Sequence, residues 1–198
     1  MIKNYELYLI LRTDLDAEAK KAELERLASI IETDVSAKNV EVIDEGNKKL
    51  AYPINKANVG NYVAVTFEVD YANAKNMSLV EKKLNISELV MRYILTDETE
   101  NLRRKAKESL NTSPAFTTHQ ELNKGAKVKK DLVSHLGIKV VDYKDVELLQ
   151  QFMSPYSKIF ARNRTGNGAI TQRRIAQAIK KARHMGLIAF TPKHQRVV

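Results

Sequence analysis

The chain contains no cysteine and no tryptophan among its 198 residues. Without cysteine it cannot form a disulfide framework or a thiolate metal site, and this fits a reducing compartment. Its N-terminal segment lacks the basic region and the cleavage site of a leader peptide, and its apolar run is too short to span a bilayer. We therefore expect a soluble, cytoplasmic protein with no membrane partner.

Acidic residues are missing from the last quarter of the chain. Residues 148–198 contain no Asp or Glu but ten Lys or Arg. The charged face of an amphipathic helix is, taken alone, more often a solvated surface. A surface of one sign repels itself, however, and a polyphosphate partner neutralises it with release of counterions. The missing acidic residues therefore favour nucleic-acid binding.

Charge is divided unevenly between the two halves of the sequence. Residues 1–100 carry 13 Lys and Arg against 18 Asp and Glu, a net charge of −5. Residues 101–198 carry 20 against 6, a net charge of +14. This asymmetry predicts two modules with different partners, and the opposite signs lead us to expect that they dock on each other within the chain.

The first half shows the periodicities of an α+β domain. Alternating apolar residues predict a strand at Tyr5–Leu11, and helical spacing predicts a helix from a cap at Asp14 or Asp16 to about Glu32. The following elements are extended chain at 40–44 and 49–54 around a turn or bulge at Gly46, a strand at 60–70, a helix at 73–84 and a strand at 89–95. This order predicts a ferredoxin-like split βαβ sandwich, βαββαβ.

Short motifs in this half are similar to the bacterial ribosomal protein S6 family. They are Asn4-Tyr5-Glu6, the run KKLAYPI at 48–54, Gly60-Asn61-Tyr62 with Phe67, and Val90-Met91-Arg92-Tyr93. The resemblance covers residues 1–97. It implies a small-subunit protein that contacts rRNA weakly by itself and pairs with ribosomal protein S18. An RNA-recognition motif of the same fold is disfavoured, because base stacking needs exposed aromatic residues on a cationic sheet and this domain is acidic.

Strand periodicity is lost after Asp97, and loop signals such as Ser113-Pro114 predict a linker over residues 98–124. Its first part, 98–110, also suits a short charged helix. Lys127, Lys129 and Lys130 fit a phosphate-binding arm and a solubilising run equally well.

The end of the chain has the pattern of a small, mostly helical basic domain. A short extended segment is predicted at 137–143, and Asp142 is expected to cap a helix from Tyr143 to Phe152 or Met153. Residues 165–190 predict a single basic helix, which begins at the turn Gly166-Asn167-Gly168.

Segments of this domain are similar to the ribosomal protein S18 family. They are Val141–Val146, Leu148-Leu149, Lys158-Ile159, Thr165-Gly166, Gln172-Arg173, Ala178–Arg183 and His194-Gln195. The resemblance covers residues 125–198, so the chain looks like an S6-like domain joined to an S18-like domain. Those families are partners on the platform of the bacterial small subunit. The resemblance thus implies small-subunit rRNA and neighbouring ribosomal proteins as partners, and a ribosome-associated location.

The match to the S18 family has departures in the connector, residues 156–168, which leads to the basic helix. Asn163 and Arg164 stand where the family has Arg and a branched aliphatic residue, and Ala161 stands where Pro is common. Whether Arg162 or Arg164 is the main phosphate contact therefore stays open. The cysteines that some members use for zinc are absent, so no metal is expected.

We expect the RNA contacts to come from the connector, the polar face of the basic helix and the C-terminal tail. The candidate residues are Lys158, Arg162, Arg164, Thr165, Gly166, Arg173, Arg174, Gln177, Lys180, Lys181, Arg183, His184, Lys193 and Arg196. In this set Thr165 and Gly166 shape the turn, where backbone N–H groups near a helix N-terminus suit a phosphate.

No catalytic residue, cofactor or small-molecule substrate is expected. The four His lack metal-ligand spacing, and the basic segment has no carboxylate for a metal ion or an acid–base pair. This disfavours an RNA-processing hydrolase. A DNA-binding or RNA-binding regulator that lays a basic helix in a groove is the other alternative. The sequence therefore predicts a non-enzymatic structural constituent of the small ribosomal subunit.

Overall fold

The computed structural model of the chain describes residues 2–14, 17–98, 133 and 141–191. They divide into two compact units, one made of the described residues in Met1–Glu100 and Arg183–Val198, the other of those in Asn101–Ala182. The predicted linker beyond residue 98, the lysine cluster at 127–130, Lys193 and Arg196 lie outside the described residues. The predicted domain boundaries at 97 and 125 stay predictions, because the chain that joins them is not described.

The first unit contains a four-stranded antiparallel sheet and two helices. Its elements are β1 (Ile2–Leu11), α1 (Ala17–Val35), β2 (Lys38–Ile54), β3 (Ala57–Asp70), α2 (Met77–Ile86) and β4 (Val90–Asp97). The strand order is β2-β3-β1-β4, and each neighbouring pair is antiparallel. The predicted ferredoxin-like βαββαβ fold is confirmed.

The core of this unit lies between the sheet and the two helices. Leu7 pairs with Val65 and Leu9 with Val63, so alternate residues of β1 and β3 share one face. The buried residues that pack on this face include Leu27, Ile31, Val80 and Leu84 of α1 and α2. The two-residue period of the strands thus selects which sheet face the helices cover.

Two boundaries in this unit differ in detail from the prediction. The extended segments around Gly46 form one strand, whose register with β3 shifts between Asp44 and Gly46. Gly46 has φ of 81° and donates its N–H to Asp44 Oδ1 at 2.9 Å, so it forms a bulge and not a chain reversal. Asp14 pairs with the Arg12 side chain, with the shorter bond at 2.6 Å, and Asp16 lies outside the described residues.

The second unit contains α3 (Val146–Gln151), α4 (Arg162–Thr165) and most of α5 (Ala169–His184). The expected cap at Asp142 is wrong. Asp145 caps α3 by accepting the Leu148 N–H at 3.0 Å, whereas Asp142 Oδ1 accepts the Lys144 N–H at 3.0 Å. The helix begins later because the Asp145 carboxylate caps it, so Val146 is its first residue.

The basic helix begins after the predicted turn, at Ala169, but it ends earlier than predicted. Gly166 has φ of 73° and ends α4, so residues 166–168 form the predicted turn before α5. At the other end α5 stops at His184, and Gly186 has φ of 64°. A left-handed residue ends an α-helix, and glycine is the residue that adopts this conformation without strain. Among the described residues, no helix is long and apolar enough to cross a lipid bilayer.

Candidate nucleic-acid interface

Helix α5 places four polar side chains of the predicted interface on one exposed face. The residues of this face, called the α5 polar face below, are Arg173, Arg174, Gln177 and Lys180. The apolar stripe of the helix is fully buried, and it consists of Ile175, Ala178, Ile179 and Ala182. Because packing fixes the helix by its apolar stripe, the three cations of the α5 polar face are presented to solvent together.

Lys181 also lies on the predicted face but is half-buried. Its Nζ lies 5.6 Å from the ring centroid of the buried Tyr143, in the same unit. A cation at this distance over a tyrosine face gains roughly 0.5–1 kcal/mol. Lys181 therefore contributes to the packing of the second unit, and the sequence offered no signal for this contact.

Arg183 and His184 make protein contacts within the first unit. The Arg183 guanidinium carbon lies 5.8 Å from the Phe190 ring centroid, and burial lowers the pKa of Arg183. His184 is exposed, but its Nε2 lies 3.2 Å from the Tyr93 carbonyl oxygen. These two predicted RNA contacts therefore also bind protein groups.

The connector before α5 contributes three exposed cations, Lys158, Arg162 and Arg164. The Arg164 guanidinium carbon lies 3.8 Å from the Phe160 ring centroid. Stacking of this kind positions a guanidinium and leaves its edge N–H groups free to bind a phosphate.

The turn between the connector and α5 is fixed by hydrogen bonds. Gly166 donates its N–H to Arg162 O at 2.9 Å, and Gln172 donates its N–H to Gly168 O at 2.9 Å. The Gln172 side chain also donates to Phe160 O at 2.8 Å, which ties α5 to the connector. Thr165, the last residue of α4, is buried next to this turn, so its side chain supports the local backbone.

The last two residues of α5 and the chain that follows them cover the sheet of the first unit. Residues 183–190, called the docking segment below, contact the sheet face opposite α1 and α2. Four of the hydrogen bonds that hold it bind its backbone carbonyl oxygens: Tyr52 Oη to Arg183 O at 2.6 Å, Arg92 Nη1 to His184 O at 2.8 Å, Tyr62 Oη to Met185 O at 2.7 Å and Ala51 N to Gly186 O at 2.7 Å.

Two of these bonds, to Arg183 O and His184 O, satisfy carbonyl groups in the last turn of α5 that have no partner within the helix. Arg92 also brings a positive charge to the negative end of the helix dipole. Sequence reasoning missed the roles of Tyr52, Tyr62 and Arg92. Each lies in one of the S6-like motifs, but the motifs alone did not indicate a partner.

Apolar packing reinforces the docking segment. Met185, Ile188 and Ala189 are buried, and the Phe190 ring meets the Tyr52 ring edge-on at 5.4 Å. Gly186 fits closely, because an added Cβ would lie 3.2 Å from side-chain carbons of both Leu50 and Ile54. The segment therefore binds through shape and through hydrogen bonds together.

Two buried tyrosines lie under the docking segment, Tyr8 and Tyr62, with ring centroids 5.6 Å apart. Tyr8 Oη donates to Glu45 Oε2 at 2.6 Å, and Lys48 binds the same carboxylate oxygen at 2.6 Å. Burial raises the pKa of both tyrosines well above 10, and for Tyr8 the bond to Glu45 raises it further.

We expect the free energy of unfolding to fall as the pH rises above about 10. The folded state keeps Tyr8 and Tyr62 protonated while the unfolded state releases their protons, so their contribution is complete below this pH and is lost above it. Denaturant unfolding between pH 8 and pH 11 measures the slope. Tyr62→Phe should flatten it by up to about 1.4 kcal/mol per pH unit.

The matched control is Tyr71→Phe, because Tyr71 is 62% exposed. Its slope should equal that of the wild type. Equal slopes for Tyr62→Phe and the wild type would contradict the burial of Tyr62 under the docking segment.

Among the described residues, no group of three or more His, Cys, Asp or Glu side chains has the geometry to hold a metal ion.

Two family models match separate parts of the chain. Ribosomal protein S6 matches residues 4–97, and Ribosomal protein S18 matches residues 137–188.

Individual proteins match the same two parts. The small ribosomal subunit protein bS6 of Clostridium novyi is 39% identical over 97 residues, which are 48% of this chain and 97% of that protein. The small ribosomal subunit protein bS18 of Ureaplasma parvum is 50% identical over 68 residues, which are 34% of this chain and 86% of that protein. A crystal structure of 30S ribosomal protein S6 from Thermotoga maritima has a TM-score of 0.49 at 25% identity, and covers 56% of this chain and 99% of that one.

Proposed function

Because the chain belongs to the ribosomal protein S6 family through residues 4–97 and to the ribosomal protein S18 family through residues 137–188, we propose that it is a structural constituent of the small ribosomal subunit. Residues 1–97 are the protein-docking domain, 98–124 the linker and 125–198 the rRNA-binding domain. The protein is not an enzyme, and it works on the ribosome in the cytoplasm.

The exposure of the α5 polar face is the main support for the proposed rRNA binding. Its three cations are exposed side by side, and the surrounding residues 148–198 hold no acidic side chain. A-form RNA hides its base edges in a deep, narrow groove, so a rigid cationic helix mostly contacts phosphates and reads shape. The α5 polar face therefore binds the rRNA backbone.

The connector extends this surface. Arg164 is the main phosphate contact there, because its stacking on Phe160 fixes the guanidinium before RNA binds and lowers the entropy cost of the contact. Lys158 and Arg162 lie close to Arg164 in the sequence, are exposed, and add positive charge to the connector. Lys181, Arg183 and His184 take a smaller part, because they also contact protein groups.

The two domains dock within the chain. The four hydrogen bonds to the docking segment support this proposal, as do the opposite net charges of the two halves. A tether raises the effective concentration of one domain at the other, so docking needs no separate partner chain. Neighbouring ribosomal proteins on the platform are its further partners.

A comparison of two nucleic acids tests the proposed function against a DNA-binding regulator. Filter binding is measured with a platform fragment of small-subunit rRNA and with duplex DNA of the same length. Tighter binding to the rRNA fragment at matched salt is expected. Equal or tighter binding to DNA would favour the regulator. The same rRNA incubated with the protein and Mg²⁺ should stay intact, and cleavage would revive the hydrolase.

A further inference from the structure

A tight turn in the second unit closes a short hairpin between residues 152 and 160. Met153 and Ile159 pair as an antiparallel bridge, and Phe160 donates its N–H to Phe152 O at 2.8 Å. Nearer the tip, Ser154 donates its N–H to Lys158 O at 2.8 Å. The two sides of the hairpin are therefore joined along their whole length.

The tip of this hairpin is rigid. Ser157 donates its N–H to Ser154 O at 2.9 Å, and the Lys158 N–H reaches Ser154 Oγ at 3.1 Å. Ser157 is itself 2% exposed, with φ of 59°, so it anchors the turn. Pro155 fixes one further backbone angle at the tip. A side chain on this turn is held in place before any ligand arrives.

The residue at the tip is Tyr156, and it is 71% exposed. Its neighbourhood in the sequence is cationic, with Lys158 two residues further on and no acidic residue between 148 and 198. Tyr156 stays exposed to water on a rigid, positively charged turn, so burial within its own unit does not stabilise its ring. The turn has the composition of a stacking platform for single-stranded nucleic acid, in which an aromatic ring stacks on a base and a cation binds the phosphate backbone.

We propose that Tyr156 stacks on an unpaired base of small-subunit rRNA while Lys158 binds an adjacent phosphate. This inference rests on the proposed rRNA binding and adds a contact of a different kind to it. The α5 polar face reads the backbone of paired RNA, whereas Tyr156 selects a place where a base is free to leave the helix. Such bases occur in loops and bulges, where aromatic side chains recognise RNA.

Replacement of Tyr156 separates stacking from charge. Tyr156→Ala should weaken binding to the rRNA fragment between about fivefold and a hundredfold, the usual range for loss of one stacked base. The salt dependence should keep its wild-type slope, because no charge is lost. Tyr156→Phe should bind like the wild type, since the ring remains. The matched control is Tyr71→Ala, because Tyr71 is 62% exposed and lies in the acidic half.

A fluorescence measurement tests the stacking directly. The chain has no tryptophan, so Tyr156→Trp introduces a single reporter at the tip of the turn. Addition of the rRNA fragment should quench its emission and protect it from acrylamide.

The outcomes distinguish the two levels of the proposal. If Tyr156→Ala binds rRNA as tightly as the wild type and the tryptophan stays accessible, the stacking inference is overturned and the proposed rRNA binding stands. If the wild type itself does not bind rRNA, the proposed function fails, and the stacking inference fails with it.

Discussion

Replacing Arg174 and Lys180 with Gln is expected to lower the affinity for small-subunit rRNA roughly thirtyfold near 0.15 M salt. Both side chains are exposed on the α5 polar face, so the change leaves the buried stripe untouched. Gln keeps a helix propensity close to that of Arg and Lys, and circular dichroism should be unchanged. The lost affinity comes from counterions that the variant no longer releases.

The salt dependence of binding identifies this cause. Each lost phosphate contact should reduce the slope of log K against log salt by a little under one unit, so the double variant should lose about one to two units. The matched control removes two exposed lysines from α2 and the turn before it, Lys75→Gln with Lys82→Gln. This control should keep the wild-type affinity to within about threefold, since the two lysines lie in the acidic half.

Equal losses in the two double variants would mean that net charge alone drives binding. Wild-type affinity and slope in the α5 variant, with loss of binding in Arg164→Gln, would make the connector the binding element. The α5 polar face would then be a solvated surface.

Gly186→Ala is expected to reduce the free energy of unfolding by about 2–4 kcal/mol. Two costs add at this position. A non-glycine residue is strained at φ of 64°, and the new Cβ would lie 3.2 Å from carbons of Leu50 and Ile54. Denaturant unfolding followed by circular dichroism measures the loss. The variant should also expose the sheet face under the docking segment to hydrogen exchange.

Gly168→Ala is the matched control for the same substitution. Its new Cβ would come no closer than 4.0 Å, to Thr171 Oγ1, so the expected loss is below about 1 kcal/mol. Wild-type stability of Gly186→Ala would contradict the packing of the docking segment on Leu50 and Ile54.

The fold of the first unit was predictable because its pattern is set by burial. Leu7, Leu9 and Leu11 alternate with residues of the opposite face, and this alternation identifies a strand whatever its partners are. The buried stripe of α5 was predictable for the same reason, since Ile175 and Ile179 recur at helical spacing.

The ends of the elements and the roles of single polar residues were not predictable in this way. The sequence around Met185 and Gly186 continues an amphipathic pattern, so the helix was expected to run on. Its actual end depends on Tyr52 and Arg92, which lie far earlier in the chain and bind the carbonyl oxygens of Arg183 and His184.

Parts of the candidate interface depend on contacts in the same way. Arg183 and His184 share the sequence character of Arg173 and Arg174, yet their side chains contact protein groups of the first unit. Tyr156 was overlooked, because exposure of a ring at a turn is a property of the folded chain.

The mass of the protein bound to purified small subunits tests the central claim most directly. Subunits are isolated from the organism that carries this sequence, washed in high salt and analysed by mass spectrometry. The account predicts one 22.5 kDa chain at one copy per subunit, in place of two shorter proteins of the S6 and S18 families. Small subunits that hold two such shorter proteins and lack the 22.5 kDa chain would contradict the claim that this chain is a constituent of the small subunit.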